Sequence, residues 1–426
     1  MFVRCSWSLI LVSIGASVAA WGDEMPGYQP LDKGAKAPVV KIARELEEQF
    51  VRRGIRFNDT ELQETLDRVA ERVVPVVADT FINYRVYLIR DPSPRALSFA
   101  DGQIYVYTGL LARLENEAQL AAVLAHEAHH VAAHHHIEAD RERRNLASVS
   151  GFFTFNDDDM GFGRDVFFEE IWQSEFTQDM EIAADAGAAA LIGRAGYSSV
   201  AVIHALANMR KDPELTIERE TASFNSSESL LVRQGRLQEV VSELPQLHVD
   251  TGLVETRPVQ LRRVIEMTID DYIRLDRPGA ALALVDSLIA AQPDAFLYAA
   301  KGDSHLALGP RPVQLQQEFF NWYSGNFTRE ELYAKYLAME GGSERLAFNL
   351  ESATEAYDMA IQVDDTYARA YRGLGTLYYE QEDYRPAGRN YLKYLKLESD
   401  SIDRQIVLER LQHIKSELTK QKEASK

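Results

Sequence analysis

One stretch, Ala121–His136 (AAVLAHEAHHVAAHHH), limits what this chain can become more than any other. Its apolar positions are Ala, Val and Leu with no turn residue among them, so it reads as a helix bound for a dry core. The chemistry of such a helix then rests on His126, Glu127 and His130. An α-helix turns about 100° per residue, so residues four apart leave the same face one turn above each other. Two imidazoles placed that way can each give a nitrogen to one Zn²⁺, and Glu127 beside the first sits as general base for a water that the ion activates.

Five letters with three fixed also arise by chance, and a histidine-rich helix end can be a solvated face or an adventitious metal patch. Glu181-Ile-Ala-Ala-Asp185, some fifty residues on in another Ala-rich helical stretch, decides between these readings. A third ligand from a second helix completes a His₂Glu set and leaves the fourth position to water, which is the arrangement of a catalytic zinc. Asp185, one turn after Glu181, is placed to hold a ligating imidazole by its other ring nitrogen.

The chain has 426 residues, room for two domains and a sizeable core. Its net charge of −19 argues against nucleic acid, and leaves at most a peripheral association with membranes. Met1–Ala20 reads as a secretory signal, with Arg4, an apolar Ser8–Val18 and small residues before a cut near Trp21. The apolar run is short for a spanning helix, the alternative reading. Cys5, the single cysteine, lies in that segment, so the mature chain has neither disulfides nor thiolate ligands.

After a loose segment at 21–37, Asn58-Asp-Thr60 caps a helix over Glu61–Val74. Ile82–Arg90 alternates as a strand, and Ala96–Ala100 with Gln103–Tyr107 forms a hairpin about Asp101-Gly102. Gln103, Ile104, Tyr105, Val106 and Tyr107 precede the His-rich helix; they read as an ordinary half-buried strand, or as an edge strand beside the metal that would accept an extended peptide by main-chain pairing. Asn116 with Gln119 resembles a capping box that opens the His-rich helix. Gly151–Gly163 (GFFTFNDDDMGFG) reads as a surface loop with anchoring aromatics or as a glycine-hinged lid.

From about Pro278 the texture changes to paired amphipathic helices. With Ala368 as position 1, Tyr371, Leu374, Gly375, Tyr378, Ala387 and Tyr391 fall at positions 4, 7, 8, 11, 20 and 24, the pattern of a 34-residue tetratricopeptide repeat. Ala353, Tyr357 and Ala360 fit the preceding repeat, and Pro278–Leu308 a weaker one; an ordinary helical bundle is the competing reading. An aromatic-rich interruption includes Phe319–Tyr323. The expected organisation is a signal at 1–20, a metallopeptidase domain at 38–275, a repeat domain at 276–420 and a polar tail at 421–426.

With these residues assembled, the chain resembles the HtpX and BepA-like zinc metallopeptidase family (peptidase family M forty-eight), in particular members with a tetratricopeptide tail. The resemblance rests on ALSFADGQIYVYTGLLARLENEAQLAAVLAHEAHHVAAHH and SEFTQDMEIAADAGAAALIGRAGY. It implies an α+β, predominantly helical fold: a zincin-like domain with a small β-sheet, then an all-α repeat domain. It also implies one Zn²⁺ held by His126, His130 and Glu181, Glu127 as base, and Asp185 behind the ligands. His135 matches a family histidine of open role. Further implications are a periplasmic endopeptidase, unfolded or misassembled envelope proteins as substrates, and the outer-membrane assembly machinery as partner. Where the family has a His-Pro followed by an Arg six residues after the His, this chain reads Arg257-Pro258 with Arg263. An arginine cannot close the metal site as a histidine would, but can donate to an oxyanion. The alternative from another class is a chaperone-like binding protein whose zinc site is closed or vestigial.

Overall fold

The computed structural model describes residues 47–52 except 49, 56–74, 82–139 except 83, 176–210, 227–244, 261–308 except 276, and 342–424. The expected signal, the 151–163 loop, Arg257 and the 319–323 aromatics lie outside these residues. The chain divides into two units, Met1–Thr268 and Ile269–Lys426.

The first unit is built on a small sheet. Helix α1 (Thr60–Val73) starts where the Asp59 side chain accepts from the Leu62 amide, and ends before Pro75, which cannot continue it. Strands β1 (Arg85–Ile89), β2 (Ala96–Ser98) and β3 (Gln103–Tyr107) form the sheet in the order β1–β3–β2. β2 and β3 are the expected antiparallel hairpin, turned at Gly102, whose φ of 93° suits a residue without Cβ. β1 runs parallel to β3 on its other side.

That order corrects one expectation. Gln103, Ile104, Tyr105, Val106 and Tyr107 are not a free edge: β3 is the central strand, with its pairing taken on both sides. The reason is visible in its side chains. Ile104 and Val106 pack on one face with Leu62, Leu66 and Val69 of α1. Tyr105 and Tyr107 pack on the other with Phe50, Ile89 and Phe99. A strand apolar on both faces needs cover on both faces, which a central strand receives. Among the described residues the outer strands are β1, which Arg56 and Phe57 meet at Ile89 and Leu88, and β2.

Helix α2 (Thr108–Arg113) leads from the sheet into helix α3 (Glu117–Ala132), the His-rich helix. Asn116 caps α3 by accepting from the Gln119 amide at 3.0 Å, while the Gln119 side chain accepts from the Glu115 amide at 2.9 Å. Buried Glu117 in its first turn meets Arg68 at 2.6 Å and the Tyr197 hydroxyl at 2.8 Å, tying α3 to its surroundings. Helices α4 (Gln178–Arg194), α5 (Val200–Arg210), α6 (Ser227–Glu243) and α7 (Leu261–Arg274) follow, the last running past Thr268 into the second unit. Both α3 and α4 are largely Ala along their contact, and small side chains let helix axes approach closely. Gly187 of α4 faces the His129 ring of α3, where an added Cβ would lie 1.9 Å from Cδ2.

The second unit is helical among its described residues. It comprises α8 (Pro278–Ala291), α9 (Ala295–Ala307), α10 (Gly342–Val363), α11 (Ala368–Glu380), α12 (Tyr384–Leu397) and α13 (Arg404–Ala424). Tyr357 and Tyr391 are fully buried. A Cβ at Gly373 would meet the Tyr357 ring at 2.2 Å, and one at Gly375 would meet Tyr391 at 2.5 Å, so these glycines are where aromatic knobs seat against a neighbouring backbone.

Candidate metal centre

Helices α3 and α4 bring His126, His130 and Glu181 together, as their spacing predicts. Their ligand atoms all lie within 4.8 Å of one another. His126 Nε2 is 2.9 Å from His130 Nε2, and the two are 3.5 and 3.6 Å from the Glu181 carboxylate oxygens. A tetrahedron with metal–ligand bonds of about 2.0–2.1 Å spaces its corners by about 3.3–3.4 Å. The observed distances bracket that value, and the donor set of two nitrogens and one oxygen suits a borderline divalent ion. The residues therefore fit a metal.

The supporting groups divide into two sides. Asp185 Oδ1 lies 3.0 Å from His126 Nδ1, so it holds the ring by the nitrogen that the metal does not need. Arg233 of α6 then grips both carboxylates: Nε and Nη2 each reach Asp185 at 2.8 Å, and Nη1 reaches Glu181 at 2.7 Å. His130 has a different partner, His135, with Nδ1 to Nδ1 at 2.9 Å. The Phe176 ring stacks on His130 at 3.9 Å. Ser98 of β2 meets His136 Nε2 at 3.2 Å.

These contacts set the charges. Burial opposes a charged His126 ring, but Asp185 and Glu181 outweigh it and push its pKa up to about 10. His130, buried among other imidazoles, is held well below the usual range. Burial raises Glu127, offset in part by the His126 charge and by a hydrogen bond from Ser98. Burial also works against ionised Glu181 and Asp185, yet the Arg233 guanidinium prevails; Glu181 is lowered and Asp185 falls to about 2. Without a metal, two buried carboxylates, Glu181 and Asp185, are thus set against two cations, the His126 ring and the Arg233 guanidinium.

Arg233 is the residue that motif spacing does not reveal. Its signal is positional: Leu230, Arg233 and Leu237 share one helical stripe and all three are buried, so an arginine occupies an apolar slot. Arg263, which the resemblance pairs with Arg257, is instead an exposed side chain 3.4 Å from Asp59 at the start of α1.

Two histidines and a glutamate on crossing helices, with a second glutamate beside the first ligand, define a metallopeptidase-type centre. Residues 57–268 match the model of Peptidase family M48, and this part of the chain belongs to that family. Among curated relatives, the mitochondrial metalloendopeptidase OMA1 of Schizosaccharomyces pombe is 37% identical over 73 residues, 17% of this chain and 22% of the relative. A putative beta-barrel assembly-enhancing protease of Vibrio cholerae is 32% identical over 96 residues, 22% of this chain and 20% of its own. The beta-barrel assembly-enhancing protease of Yersinia pestis is 28% identical over 92 residues, 22% and 19% of the two chains. The matches thus span about a fifth of each relative's length.

Proposed function

We propose that this chain is an exported zinc-dependent endopeptidase acting on unfolded or misassembled envelope proteins. The observation that carries the chemistry is the buried His126, His130 and Glu181 triplet with Glu127 alongside. When bound, the metal ion supplies a positive charge that polarises the scissile carbonyl and acidifies water. His126, His130 and Glu181 hold its position. The Glu127 carboxylate takes the proton of the attacking water and returns it to the leaving amine nitrogen. Burial, which raises the Glu127 pKa, makes that carboxylate a better proton acceptor.

The peptide has a place to pair. Arg95 and Phe99 bond to β3 through their main chains, so the groups of Ala96 and Ser98 between them turn to the outer side of β2. That side is unpaired among the described residues. An extended segment laid there gains main-chain hydrogen bonds without regard to its sequence, as a protease of misfolded chains requires.

Export is part of this proposal through the Met1–Ala20 composition, and the periplasm is the compartment it names. The relatives named for beta-barrel assembly support a role in outer-membrane protein assembly. Helices α8–α13 are proposed as a tetratricopeptide-like module that recruits substrate or partner, supported by the burial of Tyr357, Leu374, Ala387 and Tyr391 at repeat positions.

The decisive experiment is the variant Glu127→Gln. It should retain one zinc per chain, fail to cleave casein, and hold natural substrates long enough to co-purify. Wild-type protein with full zinc that cleaves neither casein nor envelope extract would instead favour the binding-protein reading.

A further inference from the structure

The two ligating imidazoles are supported unequally. His126 has a carboxylate behind it, Asp185, at 3.0 Å. His130 has a third imidazole, His135, at 2.9 Å between the two Nδ1 atoms. Two facing Nδ1 atoms at that distance share one proton, so one ring donates and the other accepts. We infer that His135 is a positioning residue for the metal: its Nδ1 accepts the Nδ1–H of His130, which keeps the His130 Nε2 lone pair turned toward His126 and Glu181. His135 then carries its own proton on Nε2. This inference rests on the metal-centre reading of the triplet.

The backbone is built to deliver that contact. In an unbroken helix a residue five positions after His130 would lie about 140° around the axis, away from the His130 ring. Helix α3 ends at Ala132, and His134 takes a φ of 60°, a left-handed conformation that L side chains rarely adopt. The chain turns there, and residues 135–139 start a new helical turn. The reversal brings His135 back against His130 at a ring-centroid distance of 4.9 Å. Phe176 stacks on a face of His130 and lies tilted against His135 at a ring-centroid distance of 5.9 Å. Both histidines are buried, so water does not compete for the shared proton.

A neutral acceptor differs from a carboxylate in its consequence. Aspartate behind His126 adds negative charge to the ligand, whereas His135 fixes the tautomer of His130 and adds none. Orientation without added charge is a function that another neutral acceptor can perform. Asparagine places its Oδ1 where histidine has Nδ1, while leucine fills similar space with no acceptor.

The test is zinc retention in the full-length chain, measured as the rate of transfer to a chromophoric chelator. Removing a group behind a metal ligand typically costs about 10–100-fold in affinity. His135→Leu should release zinc at least tenfold faster than wild type, and His135→Asn should stay within about threefold of wild type. Nitrogen-15 NMR of the zinc form should show His130 protonated at Nδ1 and His135 at Nε2. Equal zinc release by wild type and His135→Leu would overturn the inference, as would an Asn variant as leaky as the Leu variant. If His135→Leu fails to fold, the NMR assignment decides alone: a His135 proton on Nδ1 in place of Nε2 rejects the proposal. Wild-type protein that takes up no zinc would overturn the metal reading itself, a distinct result.

Discussion

Arg233 carries a large electrostatic load at the centre, and its removal has a calculable direction. Glu181 and Asp185 are both buried, and the guanidinium forks between them at 2.7–2.8 Å. A buried carboxylate pair stripped of its cation costs on the order of 3–5 kcal/mol. Arg233→Met should therefore lower the stability of the metal-free protein by roughly that amount in chemical denaturation, and zinc content should fall with it. Arg233→Lys should recover only part, because an ammonium cannot fork to two carboxylates. The other site residues were legible for a simple reason. His126, Glu127 and His130 sit within one turn of one helix, and Glu181 and Asp185 within one turn of another, where spacing fixes direction. Arg233 lies 48 positions beyond Asp185, and no periodicity relates the two. His135 was legible as a histidine of interest but not as a partner of His130, since its position depends on the φ of His134.

Between elements, the centre depends on how close α3 and α4 come. Gly187→Ala places a methyl carbon into the buried His129 ring, so the helices must part. Overpacking of this kind costs about 1–3 kcal/mol, and the expected readout is a lower unfolding midpoint with weaker zinc binding. The sheet supplies a second test. Ala96→Pro removes an outward amide of β2 while leaving the Arg95 and Phe99 bonds to β3 in place. One peptide hydrogen bond is worth about 0.5–1.5 kcal/mol, so kcat/KM on an unfolded protein should fall roughly two- to thirteenfold at unchanged zinc content. Unchanged kcat/KM in a folded variant would remove β2 from the substrate path. The hairpin and the caps were readable because Asp-Gly, Asn116 and Asp59 act locally. The strand order was not, because a parallel partner for β3 comes from β1, across a Pro-rich break with no sequence mark of pairing.

At the scale of the whole chain, the proposed function puts chemistry in the first unit and recruitment in the second. A chain ending at Leu275 keeps α7 whole, including Leu261 and Val264 of the first core. It should cleave casein at a rate near that of the full chain, yet fail on envelope proteins that need the helices beyond. Loss of zinc from that truncated form, when folded, would contradict the division. In the second unit Tyr357, Gly375 and Tyr391 were legible as packing positions: both tyrosines are buried, and a Cβ at Gly375 would meet the Tyr391 ring. How the unit recognises a partner has no comparable mark, since exposed side chains obey no packing period.

The close seating of α3 against α4 has one more consequence. The two ligand helices are held to each other by Gly187 on His129 and by Asp185 on His126, contacts that owe nothing to the backbone joining them through residues 133–177. A covalent link chiefly raises the effective concentration of one half for the other, a term that grows only slowly less favourable with length. Severing the main chain at an engineered cleavage site between residues 140 and 175 should thus leave two fragments that co-elute and still share their zinc.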